Sequence, residues 1–296
     1  MAAPTPPRIS TSLTDTTLAS SSCLGRSLMS RQPLPYAAKH APWTIGQQVF
    51  VLRPNHAAVI GQCLGTWPEV EMQMARMLAL LLRADTDAAV AVYLTLRRST
   101  ARKEAIYAAA IHLEAEATAI LKALMVVVDA AEGERNSLAH GQYFCTDVLP
   151  ESILWINMTD GVTIQTRLLR ELKSLDFTTT PEQRKDFMAK VYHYTIKSLY
   201  SIRDQIFEAE HAIYLFNQYL MCIQGFKLSE TREQIYDRIR RLAPMARAIR
   251  HLLELADRKA QKSPVWQYQQ SYEFGSQSGR LRLEANEWVE IRKPSL

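Results

Sequence analysis

The chain has 296 residues, a formal net charge of +5, 47% hydrophobic residues and 22% charged residues. That is the make-up of a globular protein of one or two domains, able to bury a sizeable core. The charge permits a polyanionic partner but is too small to demand one. Cys23, Cys63, Cys145 and Cys222 lie far apart with no CxxC pair, so neither a zinc site nor a disulfide framework is indicated. A reducing cytosol is the plain reading, and the expected location is cytoplasmic.

Residues 1–45 mix Pro, Ser, Thr and Ala without apolar periodicity, which predicts a disordered leader. A signal peptide would need a central apolar run. The Ser and Arg content suits an organelle-type leader better, but Asp15 and the prolines weigh against it. The longest apolar runs further on, Leu78–Leu82 and Ala123–Val128, fall far short of the ~20 residues of a spanning helix, so no membrane partner is expected.

Order is predicted to begin at Val49–Leu52 as a short strand or extended segment. Asn55 then caps a helical segment over 56–64, which Gly65 interrupts. Thr66-Trp67-Pro68-Glu69 has the form of a capping box with proline in the first turn. It opens a helix over 67–83 whose apolar side carries Val70, Met74, Met77, Leu78, Leu81 and Leu82. Asp85 to Asp87 end that helix and start another. Ser99 and Thr100 cap a pattern that runs through 101–131 with no proline or glycine. It is either one helix or two with a turn near His112 to Glu116.

Glu134-Arg135-Asn136-Ser137-Leu138-Ala139-His140-Gly141 follows, and the chain is organised around it. Arg135 stays charged at any pH and can fork onto a phosphate through two parallel hydrogen bonds. His140 can take and give a proton near neutrality. Together they could cleave a phosphodiester without a metal. Asn136 and His140 share a helix face, whereas Arg135 and His140 sit roughly 140° apart at about 100° per residue. One straight helix cannot aim both at one phosphorus. Either the helix ends near Gly141, or two copies of it face each other.

Beyond Gly141 the period changes. Residues 142–146, 152–157 and 162–167 read as strands, with Thr159-Asp160-Gly161 as a hairpin turn, giving a small β-hairpin insertion over 142–167. Thr180-Pro181-Glu182-Gln183 opens a long helix over 181–223 that Gly225 stops. Its tyrosines, Tyr192, Tyr194, Tyr200, Tyr214 and Tyr219, are expected in core and rim. A further helix from Arg232 to about Lys259 bends or breaks at Pro244. The predicted organisation is a leader at 1–45, a mainly α helical bundle with its β insertion at 46–225, a basic helix at 226–262 and a flexible tail at 263–296.

Other constellations are thin. Glu208-Ala-Glu-His211 has the spacing of a di-iron bundle but no second copy, and His112-Leu-Glu114 lacks the P-C-x-x-C of a zinc deaminase. HExxH, a Walker loop and GxGxxG are absent, so no metal or cofactor is expected. Between Arg232 and Lys262 nine basic residues stand against four acidic ones, a difference of +5. Arg238 and Arg241, with Arg240 less so, are possible phosphate contacts; the alternative is an ordinary solvated face.

Arg135-Asn136-x-x-x-His140-Gly141, at the end of a bundle helix, resembles the R-x4–6-H motif of the HEPN superfamily. The opening Trp67-Pro-Glu-Val-Glu71, the strands after the motif and the helix from Pro181 are also similar to bacterial members. The resemblance covers roughly 55–225. It implies a metal-independent endoribonuclease in which two motifs meet across a homodimer. The ribose 2′-hydroxyl would attack its own phosphate and leave a 2′,3′-cyclic phosphate. His140 would be general base or acid, Arg135 would stabilise charge on the phosphate oxygens, and Asn136 would orient the imidazole or hold substrate. RNA as substrate and a toxin or antiviral role with an antitoxin partner follow from the same resemblance. Other members are non-catalytic dimerisation or interaction modules. In that alternative, Arg135, Asn136 and His140 only cap the helix end.

Overall fold

The computed structural model describes residues 31–39, 41–163, 166 and 181–261. Strand β1 (Gln32–Pro33) lies on one edge of a sheet and β2 (Thr44–Ile45) on the other. Between them a 3-10 turn, Tyr36–Lys39, buries Ala38, whose carbonyl accepts the Trp43 indole N–H at 2.8 Å. Leu34 and Ala38 pack with Phe144, Leu154, Ile156 and Val191 in a small core. The expected leader is therefore corrected for 31–39 and 41–45, because two-residue strands leave no periodicity to read. Residues 1–30 and 40 lie outside the described residues.

Helix α1 (Gln48–Leu52) replaces the expected extended segment. Gly46, at φ +83°, turns the chain, and its carbonyl accepts from Val49 N–H at 3.1 Å. Only a residue tolerant of the left-handed region starts a helix this way. Helix α2 (Pro54–Leu82) runs unbroken for 29 residues. The break at Gly65 and the capping box at Thr66 do not form. Instead the Thr66 hydroxyl bonds back to the Gln62 carbonyl at 2.9 Å, and Pro68 lies inside the helix. Proline in a helix costs ~3 kcal/mol. Each buried apolar side chain contributes about 1.5–3 kcal/mol, and Val59, Ile60, Cys63, Trp67, Val70, Met74, Met77 and Leu78 keep one continuous buried face. Packing outweighs the local signal.

Helix α3 (Thr86–Thr95) starts at the Asp85 cap, whose carboxylate accepts from Ala88 N–H at 3.0 Å. Helix α4 (Ser99–Ala109), a 3-10 turn at Ala110–His112 and helix α5 (Ala115–Ala139) settle the open choice in favour of two helices. Strands β3 (Gly141–Cys145) and β4 (Ser152–Asn157) pair antiparallel, with Gly141 opposite Asn157 and Phe144 opposite Leu154.

Residues 158–163 are helical, which corrects the expected turn at Thr159–Gly161 and strand from Val162. The Asn157 side chain accepts from Thr159 N–H at 2.9 Å and favours this start. Residues 164, 165 and 167 lie outside the described residues. The predicted helix over 181–223 is likewise divided into helix α6 (Pro181–Lys190), strand β5 (Tyr192–Thr195) and helix α7 (Ile196–Ile223). The run Val191 to Thr195 is β-branched and aromatic, which suits a pleated strand. The Thr195 hydroxyl then caps α7 by accepting from Ser198 N–H at 3.2 Å.

Helix α8 (Arg232–Arg241) carries a capping box from Thr231 and Gln234. Helix α9 (Ala243–Gln261) follows a break at Leu242, with Pro244 in its first turn, close to the expected position. The chain divides into two compact units, 1–249 and 250–296; only 250–261, the later part of α9, is described in the second. The predicted tail at 263–296 lies outside the described residues.

In the first unit α2, α5 and α7 pack together, with α3 and α4 against α2 and α8 against α7. The fold is mainly α, a helical bundle with one small antiparallel sheet in the order β1-β5-β4-β3-β2. The sheet is larger than the expected hairpin, since β1, β2 and β5 come from outside residues 142–167. It sits at the end of α5 where the motif lies. No described helix is long and apolar enough to cross a membrane.

Candidate functional site

Helix α5 carries Arg135 and Asn136 in its last turns and closes at His140, whose φ of −110° and ψ of 25° leave the helix. His140 N–H still bonds the Asn136 carbonyl at 3.0 Å, and the His140 carbonyl accepts from Met158 N–H at 2.9 Å. The backbone of the motif is thus fixed on both sides. The His140 side chain is exposed and has no hydrogen-bond or ion-pair partner among the described residues.

Arg135 behaves differently. Its Nη1 donates to Asn136 Oδ1 at 2.9 Å, and its guanidinium carbon lies 5.5 Å from the Trp67 ring centre on α2. Such a cation–π contact is worth about 0.5–2 kcal/mol, more as water is excluded. Its Nε is buried without a hydrogen-bond partner among the described residues. Arg135 and Asn136 are half-buried and bound to each other, with the imidazole of the same motif in solvent.

Behind Arg135 a polar chain links four helices. Trp67 Nε1 donates to Glu71 Oε1 at 3.3 Å, and Arg102 Nη1 meets the same oxygen at 2.8 Å. The Arg102 guanidinium lies 4.9 Å from the Tyr93 ring centre. Burial pushes the Tyr93 phenol up to about 12, with Arg102 opposing. Lys103 reaches both Asp129 and Glu132 of α5, and Glu132 also accepts from the Ser99 hydroxyl at 2.9 Å. Burial disfavours the Lys103 ammonium, but those two carboxylates outweigh it and hold its pKa above the ordinary value. Glu71 therefore serves Arg102 and Trp67 in mid-helix.

The glycine after the histidine has a packing cause. A Cβ on Gly141 would lie 1.8 Å from Trp155 Nε1, which donates to the Ser137 carbonyl at 2.9 Å. The Tyr143 hydroxyl similarly donates to the Leu138 carbonyl at 2.5 Å. Two aromatic donors from the sheet thus satisfy carbonyls that the end of α5 leaves open.

The arginines Arg238 and Arg241 are not brought to this site. Arg238 pairs with Glu230, Arg240 lies over the Tyr236 ring, and Arg241 is exposed without a partner among the described residues. Arg232 of the same helix pairs with Glu114, just ahead of α5, at 2.9 Å. The motif is at the other end of α5, roughly 35 Å away at 1.5 Å per residue. One protomer cannot set both groups on the same phosphate. Among the described residues no cluster of three or more His, Cys, Asp or Glu could hold a metal.

Sequence reasoning missed the part played by Trp67, Trp155 and Tyr143, which touch the motif from α2, β4 and β3. Trp67 and Glu71, four apart on one face, were the available signal. No protein-family model matches the chain, and neither a curated protein nor a solved structure gives a match. The likeness to the HEPN superfamily therefore rests on the sequence features alone.

Proposed function

We propose that the protein is a metal-independent endoribonuclease of HEPN type, acting as a homodimer through Arg135 and His140. The observation that carries this reading is the exposed His140 imidazole, without a partner among the described residues, one turn beyond an arginine that Asn136 and Trp67 hold in place. His140 removes the ribose 2′-hydroxyl proton, the 2′-oxygen bonds to phosphorus, and the bond to the 5′-oxygen breaks. The second histidine of the dimer returns a proton to that oxygen. Arg135 meets the charge growing on the phosphate oxygens, and Asn136 sets its direction. A toxin or antiviral role with an antitoxin partner belongs to the same proposal.

A second reading, a non-catalytic dimerisation or interaction module, is favoured by a separate observation. Arg135 and Asn136 engage each other and are half-buried, as a packed helix end would be. RNA cleavage by purified protein in a chelator, wild type beside His140→Ala, separates the two. The nuclease reading expects products ending in 2′,3′-cyclic phosphate from wild type only. Absence of cleavage from a folded wild-type protein leaves the interaction module.

A further inference from the structure

The outward side of α7 carries Tyr200, Phe207 and Tyr214, exposed by 41%, 45% and 42%. They stand seven apart, so they form one stripe about 21 Å long at 1.5 Å per residue. The other side of α7, through Leu199, Ile202, Ile206, Ile213 and Phe216, is fully buried. The stripe is therefore separate from the core. A single exposed aromatic needs no explanation, but three in register on a face expected to be polar do. Arg203 lies 4.7 Å over Tyr200, and His211 stacks 6.3 Å from Tyr214. Among the described residues no ring stacks on Phe207, at the centre.

We propose that this stripe is the centre of a symmetric contact with a second copy of the chain, α7 against α7, antiparallel about a two-fold axis at Phe207. The order of residues selects that occupant. A two-fold contact needs a patch that complements itself. Tyr200, Phe207 and Tyr214 read the same in both directions, so each Tyr200 meets the partner's Tyr214 and Phe207 meets its own copy. The charges follow. Arg203 and Asp204 lie between the first two rings, Glu210 and His211 between the last two. Arg203 and Asp204 already pair with each other at 2.7 Å, and antiparallel packing extends that pair by setting the partner's Glu210 beside Arg203 and the partner's His211 beside Asp204.

Three rings of ~150–250 Å² each, four-tenths exposed, leave roughly 200–300 Å² of apolar surface. That is a core for the ~800 Å² that each partner of a stable pair buries. The contact uses the outward side of α7 rather than the end of α5, so it holds whether or not the Arg135–His140 motif cleaves RNA.

The test uses the full chain with Cys23→Ser and Cys222→Ser to remove background thiols. Sedimentation should show a dimer where this is the sole contact, and a tetramer where the motif ends pair as well. Phe207→Glu should raise the dissociation constant of this contact at least tenfold with helix content unchanged by circular dichroism. Phe207→Cys alone should oxidise to a covalent dimer. Tyr200→Cys should cross-link only when mixed with Tyr214→Cys. A monomeric parent protein would overturn the proposal, and so would a dimer in which Phe207→Cys does not cross-link. Since the cross-link requires no loss of packing, a poorly folded Phe207→Glu would not shelter it.

Discussion

Gly133 and Gly141 flank the motif, and replacing each with alanine should move stability in opposite directions. A Cβ at Gly141 would sit 1.8 Å from Trp155 Nε1 and 2.2 Å from Cδ1. The indole has no free direction to retreat, because Trp155 is 2% exposed and packs at 6.3 Å from both Tyr192 and Tyr194. Forcing extra volume into such a site costs about 1–3 kcal/mol. Displacing the ring also breaks its bond to the Ser137 carbonyl, leaving a helix-end acceptor open at a further ~1–3 kcal/mol. Gly141→Ala should therefore lose about 2–6 kcal/mol, roughly 5–20 °C in Tm for a protein of this size. Gly133 is exposed inside α5, and a Cβ there meets nothing within 4 Å. Gly133→Ala should gain about 0.5–1 kcal/mol from backbone entropy alone. Thermal melts by circular dichroism and urea melts on both variants read the result. If Gly141→Ala melts as wild type does, the account of Trp155 is wrong, and the glycine after the histidine needs another explanation.

Pro68→Ala, at an exposed site inside α2, should stabilise by about 1–3 kcal/mol, since Leu64 regains a donor; an unchanged urea midpoint would count against it. Burial lowers the pKa of both His56 and His193 below the ordinary 6.5, although the Glu151 carbonyl at His56 opposes the shift. Above 6.5 both states hold neutral imidazoles. As pH falls through 6.5 the unfolded chain takes up protons first, so stability drops until the lower folded pKa is reached. Urea midpoints from roughly pH 7 to 5.5 should decline, and the decline should flatten when both histidines become glutamine. Mixing the inactive Arg135→Ala and His140→Ala proteins should restore some RNA cleavage if one subunit's arginine serves the other's histidine. No recovery despite verified subunit exchange would show that each protomer needs its own pair, or that the site needs both copies of each.

What could be read ahead of the structure was the apolar period of the long helices and the place of the motif at a helix end. Asp85 as a cap, the stop at Gly225 and the break beside Pro244 are local effects, and local residues announce them. The failures have one cause. Gly65, Pro68 and the Thr66 box signal a break, but the face from Val59 to Leu78 is continuous, and tertiary burial overrides the signal. The reverse occurs at Val191 to Thr195, where a helical period on either side hid a strand that exists because β4 is there to pair with. Trp67 and Trp155 were invisible as parts of the site because both reach it from other elements.

The supports around the motif are unequal. Arg135 is backed by Asn136, the Trp67 ring, and behind them Glu71, Arg102 and Tyr93. His140 is held by its backbone alone. Losing the Arg135 side chain would remove a cation–π contact and a hydrogen bond, at a cost on the order of 1–2 kcal/mol that has nothing to do with catalysis. Losing the exposed imidazole of His140 should cost the fold almost nothing. Both readings need a well-held Arg135, either as a positioned electrophile or as a helix-end contact. Only the catalytic one needs the imidazole at all. His140, more than Arg135, is therefore the residue whose replacement separates an enzyme from an interaction module, since any activity it removes cannot be charged to folding.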